Sequence, residues 1–333
     1  MKNKCVIGIT IGDPAGIGPE IIIKSIINLK ITGFDFVPVL FGSVQVFEFY
    51  RDLFGLDMQF VPLNKKEDIK YEDKVYVIDV NPEASFSVSP GYPDNNGSLL
   101  ALEAIKQAVY SALDSKIDAI VTAPIYKKGI NEAGCDFHGH TGFLAYLTKT
   151  KNYAMMLAGG GLKVVLATIH IPLREVFGKL TPDRVYEAIK ISHEGLRMAG
   201  ITEPRIAVCA LNPHAGEEGL LGNEETLIIK PAVDKAIAEG INVTGIFPSD
   251  TVFWDTLQGK SDIVVAMYHD QGLIPIKTLA FDSGVNVTLG LPIIRTSPDH
   301  GTAFDIAGKN IATSASMEQA IKFAMELCRG KRS

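Results

Sequence analysis

Three histidines follow apolar segments that have the composition of buried β-strands. They are His170 after residues 163–169, His214 after residues 205–211 and His269 after residues 262–268. In parallel α/β sheets ligands bind outside the carboxyl ends of the strands, so these three imidazoles could meet at one point. Any one of them alone is better explained as a histidine hydrogen-bonded in a loop. The three together predict a site for zinc or another divalent transition metal.

A second group of polar residues is suited to binding an anion. His140 and Thr141 open a predicted helix, whose first backbone N–H groups attract negative charge. Lys277, Asn286 and Arg295 come later in the chain and add cationic and amide donors for a phosphate or a carboxylate. Such charges also commonly belong to a solvated surface, and spacing alone leaves both interpretations open.

Two carboxylates could transfer a proton near the histidines. Asp270 directly follows His269, and Asp250 lies in a polar turn before it. Either could equally be a helix N-cap. Lys128 is a further candidate for proton transfer or substrate orientation. His193 lies inside a predicted amphipathic helix, where we expect a structural role.

The segment 12–20 reads GDPAGIGPE and stands between a predicted strand and a predicted helix. Its glycine spacing is not GxGxxG, and no Gly-Lys-Ser/Thr follows, so neither the dinucleotide fingerprint nor the P-loop applies. The segment therefore predicts a tight strand-to-helix turn.

Alternating strands and helices must position these residues. Short β-branched runs alternate with stretches of helical period, which is typical of βαβ units and a parallel sheet. The predicted strands are residues 6–12, 36–42, 75–80, 119–122, 163–169, 205–211, 242–247, 262–268 and 285–289. We predict helices over 97–113 and from a Thr181 cap to about Met198. The polar tract 81–98 predicts a long loop.

Length and composition limit the class of protein. A chain of 333 residues exceeds what one core usually organises, so we expect two domains. The hydrophobic fraction of 47% is typical of a globular protein, and the net charge of −6 argues against a nucleic-acid partner. The four cysteines have no CxxC spacing, and no apolar run reaches the roughly 18 residues of a membrane span. We therefore expect a soluble cytoplasmic protein with no membrane partner, no disulfide framework and no thiolate zinc site.

Several long motifs, in order, resemble one known family. They are GDPAGIGPE at 12–20, GHT at 139–141, LNPHAGE at 211–217, MYHDQG at 267–272, GVNVTLGLP at 284–292 and RTSPDHGTA at 295–303. Together they resemble the 4-hydroxythreonine-4-phosphate dehydrogenase (PdxA-like) family of vitamin B6 synthesis, including its D-threonate and D-erythronate 4-phosphate dehydrogenase relatives. The segment 300–312 is also similar to the nucleotide loop of isocitrate and isopropylmalate dehydrogenases.

The resemblance implies two α/β/α domains with mostly parallel sheets, like those of isocitrate and isopropylmalate dehydrogenases, and an active site in the cleft between them. The first domain would comprise residues 1–130 with 300–333. The second would comprise residues 131–299 and carry the metal ligands and the contacts of a homodimer.

The resemblance also assigns roles to individual residues. The implied metal ligands are His170, His214 and His269, with His269 contributed across the dimer interface. The implied substrate-binding residues are His140, Thr141, Lys277, Asn286 and Arg295. The implied cofactor-binding residues are His300, Gly301, Ala303, Asp305 and Asn310. The expected cofactors are NAD or NADP and a divalent metal, with zinc ahead of cobalt, magnesium or manganese.

The implied reaction is the oxidation of 4-phosphooxy-L-threonine at its secondary hydroxyl, followed by decarboxylation to 3-amino-2-oxopropyl phosphate in pyridoxal phosphate synthesis. The alternative is oxidative decarboxylation of D-threonate or D-erythronate 4-phosphate to dihydroxyacetone phosphate in sugar-acid catabolism. Gly142 follows the Gly-His-Thr motif where many members carry a glutamate, which leaves the substrate open. Two other classes are a phosphate acyltransferase of related fold and a non-catalytic protein that binds a metal or senses a metabolite.

Overall fold

The chain folds into two compact units. The computed structural model describes residues 4–63, 74–83, 85–137 and 139–332. Unit 1 comprises residues 1–151 with 291–329, and unit 2 comprises residues 152–290 with 330–333. These units differ from the predicted domains, because residues 131–151 and 291–299 lie in unit 1. Residues 131–151 pack within unit 1, and residues 291–299 contain a strand that pairs with the sheet of unit 1.

Unit 1 is built on a parallel sheet. Its strands are β1 (Cys5–Thr10), β2 (Phe36–Gly42), β3 (Phe60–Leu63), β4 (Val75–Asp79), β5 (Ala119–Thr122) and β12 (Ile294–Pro298). They lie in the order β3-β4-β2-β1-β5-β12, and each neighbouring pair is parallel. Its helices are α1 (Gly18–Ile31), α2 (Val44–Phe54), α3 (Asn95–Leu113), α4 (Lys127–Glu132), α5 (His140–Leu147) and α11 (Ala315–Arg332). Helices α4 and α5 pack on α3, and β12 pairs with β5, which joins these segments to unit 1.

Unit 2 is built on a mixed sheet. Its strands are β6 (Ala154–Gly159), β7 (Leu162–Leu166), β8 (Ile206–Cys209), β9 (Val243–Phe247), β10 (Ile263–Ala266) and β11 (Val285–Leu289). They lie in the order β11-β6-β7-β10-β8-β9. The four strands from β7 to β9 run parallel, whereas β6 is antiparallel to both of its neighbours. Its helices are α6 (Leu173–Lys179), α7 (Pro182–Met198), α8 (Lys230–Ala238), α9 (Val252–Leu257) and α10 (His269–Ala280).

The prediction of a mostly parallel α/β fold is confirmed. All six residues of β1 and all seven of β2 are buried, as expected for parallel strands covered on both faces. Helix α7 begins where the sequence predicts, because the Thr181 hydroxyl accepts a hydrogen bond from the Arg184 N–H. No helix among the described residues is long and apolar enough to cross a membrane.

Two parts of the sequence-based assignment are wrong. The predicted loop 81–98 ends early, because Asp94 caps α3 by accepting a hydrogen bond from the Gly97 N–H at 2.7 Å, and the helix begins at Asn95. Three strands, β3, β6 and β12, were missed. Strand β12 has the sequence IRTSP, whose polar side chains hide the signature of a buried strand, although all five residues are buried.

Candidate active site

The three predicted metal-ligand histidines follow neighbouring strands of unit 2. His170 comes after β7, His269 after β10 and His214 after β8, and these strands are adjacent and parallel in the order β7-β10-β8. Their carboxyl ends therefore lie at one edge of the sheet. The rings of His170 and His269 have centroids 5.5 Å apart and are tilted by 46°.

This histidine pair fits a metal site. Two imidazoles on one tetrahedral zinc, with Zn–N bonds of about 2.0 Å, have ring centres about 5 Å apart. Among the described residues of this single chain, however, no three His, Cys, Asp or Glu side chains come together as a metal-binding group. The structure thus brings together His170 and His269, while the complete set of three with His214 stays a prediction.

His269 is oriented by its neighbour. It is the first residue of α10, and its Nδ1 donates a hydrogen bond to Asp270 Oδ1 at 2.7 Å. With its proton on Nδ1, the ring presents Nε2 as the ligand atom. Asp270 is mostly exposed, so its carboxylate keeps access to solvent.

His214 lies in a strained turn. Residues 214–218 all have positive φ, with His214 at φ 52° and ψ 29°. A left-handed conformation costs non-glycine residues about 1–2 kcal/mol each, so other contacts must hold it.

The buried Glu225 carboxylate supplies such contacts: its Oε1 accepts hydrogen bonds from the N–H groups of Leu211 and Asn212 at 2.8 and 2.7 Å, and its Oε2 accepts one from the Asn212 side-chain amide. Sequence analysis missed Glu225, because its signal, one of two consecutive glutamates in a polar stretch eleven residues beyond His214, is ordinary.

A glutamine joins the ends of three strands in unit 2. The Gln271 Oε1 accepts a hydrogen bond from the Met267 N–H at 2.6 Å, and its Nε2 donates to the Ala210 carbonyl and to the Ser249 hydroxyl. These partners follow β10, β8 and β9. Asp250, the residue after Ser249, is exposed. Gln271 therefore fixes the backbone from which His269 and Asp250 project, a role the sequence did not reveal.

Unit 1 contains a buried cationic group on its sheet. Arg295, the second residue of β12, is only 3% exposed, and its Nε and Nη2 donate to the Thr122 hydroxyl at the end of β5 at 3.2 and 2.6 Å. Burial lowers the pKa of Arg295 to about 9. The pKa of His140 lies well below its usual range, first because of desolvation and then because of the positive charges of Arg295 and Lys127. His140 is therefore a neutral imidazole, and its Nε2 is buried with no hydrogen-bond partner among the described residues.

The predicted substrate-binding residues divide between the two units. His140 and Thr141, the first two residues of α5, lie in unit 1 with Arg295. Lys277 on α10 and Asn286 on β11 lie in unit 2. The Lys277 ammonium is 5.4 Å from the centre of the Phe281 ring, and the Asn286 Oδ1 is buried with no hydrogen-bond partner in the structure.

Lys128 pairs with a glutamate on its own helix. Its ammonium is 3.7 Å from the Glu132 carboxylate one helical turn along α4, and both side chains are mostly exposed. This contact does not support the predicted role of Lys128 in proton transfer or substrate orientation, and that role stays a prediction.

The predicted cofactor loop packs on the GDPAGIGPE turn within unit 1. The Thr302 carbonyl accepts a hydrogen bond from the Ile17 N–H at 2.9 Å, and the Ala312 N–H donates to the Glu20 carboxylate at 3.1 Å. A Cβ on Gly16 would come 2.9 Å from the Thr302 oxygen, so only glycine allows this approach. The turn therefore positions the loop.

The five predicted cofactor residues differ in exposure along that loop. Gly301, Asp305 and Asn310 are exposed, whereas His300 and Ala303 are half-buried. Ala303 and Asn310 have positive φ values of 43° and 59°. Exposed backbone and polar side chains leave the loop accessible to a ligand, and its role in cofactor binding stays a prediction.

Comparison with known proteins identifies the family. The family model described as pyridoxal phosphate biosynthetic protein PdxA matches residues 35–324. The chain belongs to the PdxA family. It is 45% identical to a 4-hydroxythreonine-4-phosphate dehydrogenase of Desulforapulum autotrophicum, covering 97% of this chain and 95% of that protein. It is 44% identical to a D-threonate 4-phosphate dehydrogenase of Pectobacterium atrosepticum, covering 97% and 99%.

A solved structure agrees with this placement in the PdxA family. The crystal structure of a 4-hydroxythreonine-4-phosphate dehydrogenase from Klebsiella pneumoniae has a TM-score of 0.89 and 42% identity, with 98% of this chain and 100% of that chain covered. As a PdxA-family dehydrogenase the chain is an oxidoreductase, and the family indicates a nicotinamide cofactor. The predicted family and enzyme class are confirmed.

Proposed function

We propose that this PdxA-family chain oxidises a 4-phosphorylated four-carbon hydroxy acid at its secondary hydroxyl, with NAD or NADP as oxidant, and then decarboxylates the resulting β-keto acid. The observation that carries the proposal is the pair His170 and His269, 5.5 Å apart at the ends of adjacent strands. The buried cationic group around Arg295 supports an anionic substrate.

His170, His214 and His269 would hold a divalent metal, with zinc first among the candidates because three imidazoles and an open position suit it. Such a metal, when bound, lowers the pKa of the substrate hydroxyl and stabilises the negative charge that develops as carbon dioxide leaves. We infer a homodimer in which the second chain completes the set of three histidine ligands. This arrangement accounts for the lack of a group of three ligands among the described residues of one chain.

The chain's own residues supply orientation and proton transfer. Asp270 holds the His269 ring through the 2.7 Å hydrogen bond at Nδ1. Asp250 is an exposed carboxylate fixed beside Ser249 and is the candidate that accepts the hydroxyl proton. A bound nicotinamide would accept the hydride, and residues of the loop 300–312 would orient it. Carbon dioxide then carries away the carboxyl group, and a proton from solvent or a carboxylic acid replaces it.

For the substrate we propose D-threonate 4-phosphate ahead of 4-phosphooxy-L-threonine, which the sequence analysis puts first. The two acids differ at C2, where the first carries a neutral hydroxyl and the second a cationic ammonium. The charged groups that shift the pKa of His140 are both cations, and their positive potential disfavours a substrate that carries an additional ammonium. Gly142 supplies no carboxylate to pair with that ammonium. The acid with a neutral hydroxyl at C2 is therefore the better match.

The test is nicotinamide reduction by the purified zinc-loaded protein, followed at 340 nm. The substrates are D-threonate 4-phosphate, D-erythronate 4-phosphate and 4-phosphooxy-L-threonine, each with and without a chelator. We expect the highest kcat/KM with D-threonate 4-phosphate and loss of activity with the chelator. Preference for 4-phosphooxy-L-threonine would reverse the substrate assignment, and no reduction with any of the three would refute the proposed reaction.

A further inference from the structure

Lys127 is a cation that the sequence analysis did not use. It is the first residue of α4, and its Cε would be 3.5 Å from a Cβ built on Gly139, so its side chain lies along the residue that precedes α5. Within the described ranges no carboxylate forms an ion pair with Lys127, whereas the adjacent Lys128 pairs with Glu132. These features place an uncompensated cation beside α5.

Three side chains meet in this region. Lys127 and Arg295 both act electrostatically on His140, and Arg295 is buried with Thr122 as a hydrogen-bond partner. The His140 Nε2 is buried and has no hydrogen-bond partner among the described residues. The two cations repel each other, and the buried Nε2 lacks a hydrogen bond. A bound anion would offset the repulsion and could accept a hydrogen bond from an Nε2–H group.

We propose that Lys127 binds the phosphate group of the substrate together with Arg295 and His140, and that it determines the preference for phosphorylated over unphosphorylated hydroxy acids. This inference rests on the proposed function and names the group of the substrate that the cationic region takes. Neither the family resemblance nor the proposed reaction gives Lys127 a role.

The charge balance favours a phosphate over a carboxylate. A phosphate monoester carries about −1.5 to −2 charges at pH 7, which two cations can match, whereas a carboxylate carries one. Arg295 offers planar donors suited to two phosphate oxygens, and Lys127 offers a point charge on a flexible stem. The neutral His140 can donate one hydrogen bond without adding charge.

The experiment compares Lys127→Gln and Lys127→Arg with Lys106→Gln. Lys106 is a matched control, because it also lies in unit 1 and its removal deletes one partly exposed lysine, which is 3.8 Å from Glu103. The first readout is binding of inorganic phosphate to the full chain, followed by ³¹P NMR with and without a chelator. The second is kcat and KM for D-threonate 4-phosphate and for D-threonate.

We expect Lys127→Gln to weaken phosphate binding and to lower kcat/KM for D-threonate 4-phosphate by about 10–100-fold, the effect of losing one charged hydrogen bond. Values for D-threonate should change by less than about twofold. Lys127→Arg should recover most of the loss, and Lys106→Gln should match the wild type. Equal phosphate affinity in Lys127→Gln and Lys106→Gln would overturn the inference.

The two proposals can fail separately. A wild-type protein that turns over none of the acids, yet loses phosphate binding in Lys127→Gln, would keep the phosphate subsite and refute the proposed reaction. A wild-type protein with the expected activity and no effect of Lys127→Gln on either readout would keep the reaction and refute the subsite.

Discussion

The two units differ in how they expose the polar residues of the candidate site. In unit 1 two ionisable groups are deeply buried, since Arg295 is 3% exposed and Asp13 is 1% exposed. In unit 2 the predicted ligands His170 and His214 are exposed, and His269 is half-buried. Burial shifts the pKa of an ionisable group, whereas an exposed imidazole is accessible to a metal with little loss of folding free energy.

The two units also differ in the kind of strain they contain. In unit 1 the constraint is electrostatic, since burial lowers the pKa of Arg295 to about 9 and raises that of Asp13 to about 6. In unit 2 it lies in the backbone, where residues 214–218 are left-handed and Glu225 holds the preceding turn. Substitutions of the exposed histidines in unit 2 should therefore change function at constant stability, and substitutions of Asp13 in unit 1 should change how stability depends on pH.

The largest effect is expected for the histidines of unit 2. His170→Ala and His269→Ala should each lose about a thousandfold in kcat, the effect of losing several kcal/mol of metal stabilisation, with the unfolding midpoint unchanged. If His269 comes from the second chain, mixing the two inactive variants forms heterodimers in which one site has a complete ligand set. We expect partial recovery of activity after mixing.

The recovery experiment has an internal control. His170→Ala mixed with His214→Ala should stay inactive, because both residues would come from the same chain. Absence of recovery for His170→Ala with His269→Ala would instead mean that the pair 5.5 Å apart within one chain serves the same metal.

A smaller effect is expected for the carboxylate that holds the His214 turn. Glu225→Gln turns an amide N–H₂ toward the Asn212 amide and removes one accepted hydrogen bond. Metal affinity, measured by equilibrium dialysis, should fall about 10–100-fold, as it does when outer-shell partners of metal ligands are lost. Glu224→Gln is the matched control, since this half-buried neighbour accepts a hydrogen bond from the Asn212 side-chain amide and not from the Asn212 backbone N–H. Equal affinities in the two variants would show that Glu225 does not position His214.

The smallest effect concerns Asp13 in unit 1, whose pKa rises from 3.8 to about 6 chiefly through burial. A carboxyl group whose pKa is higher in the folded than in the unfolded state stabilises the fold fully below pH 3.8, and that stability is lost as the pH rises to about 6. Asp13→Asn should therefore raise the free energy of unfolding at pH 8 by about 1–3 kcal/mol and leave it nearly unchanged at pH 4. Urea denaturation at both pH values measures this difference. A variant less stable than the wild type at pH 8 would contradict it.

Much of the fold follows from local sequence patterns. The apolar β-branched runs predicted β2 and β5 at their observed bounds, because buried parallel strands need continuous apolar side chains. The bounds of β11 were also predicted, from the β-branched and apolar residues of its sequence VNVTL. The same patterns missed β12, since its Arg295, Thr296 and Ser297 are polar and their burial depends on partners distant in sequence. Thr296, for example, donates to the Ala320 carbonyl of α11.

The candidate site was predictable only in part for the same reason. Histidines at strand ends are visible in the sequence, because strand ends are marked by where apolar runs stop. Lys127, Gln271 and Glu225 are not, because each acts through contacts with segments that the sequence does not mark as neighbours.

Local periodicity and contiguous motifs are enough to predict the alternation of strands and helices, the family and the positions of the three strand-end histidines. The proximity of His170 and His269 and the burial of Arg295 beside Thr122 depend on the tertiary fold. These residues come together because β7 pairs with β10 and β5 pairs with β12. Each pairing joins segments about 100 residues or more apart, and no local pattern encodes it.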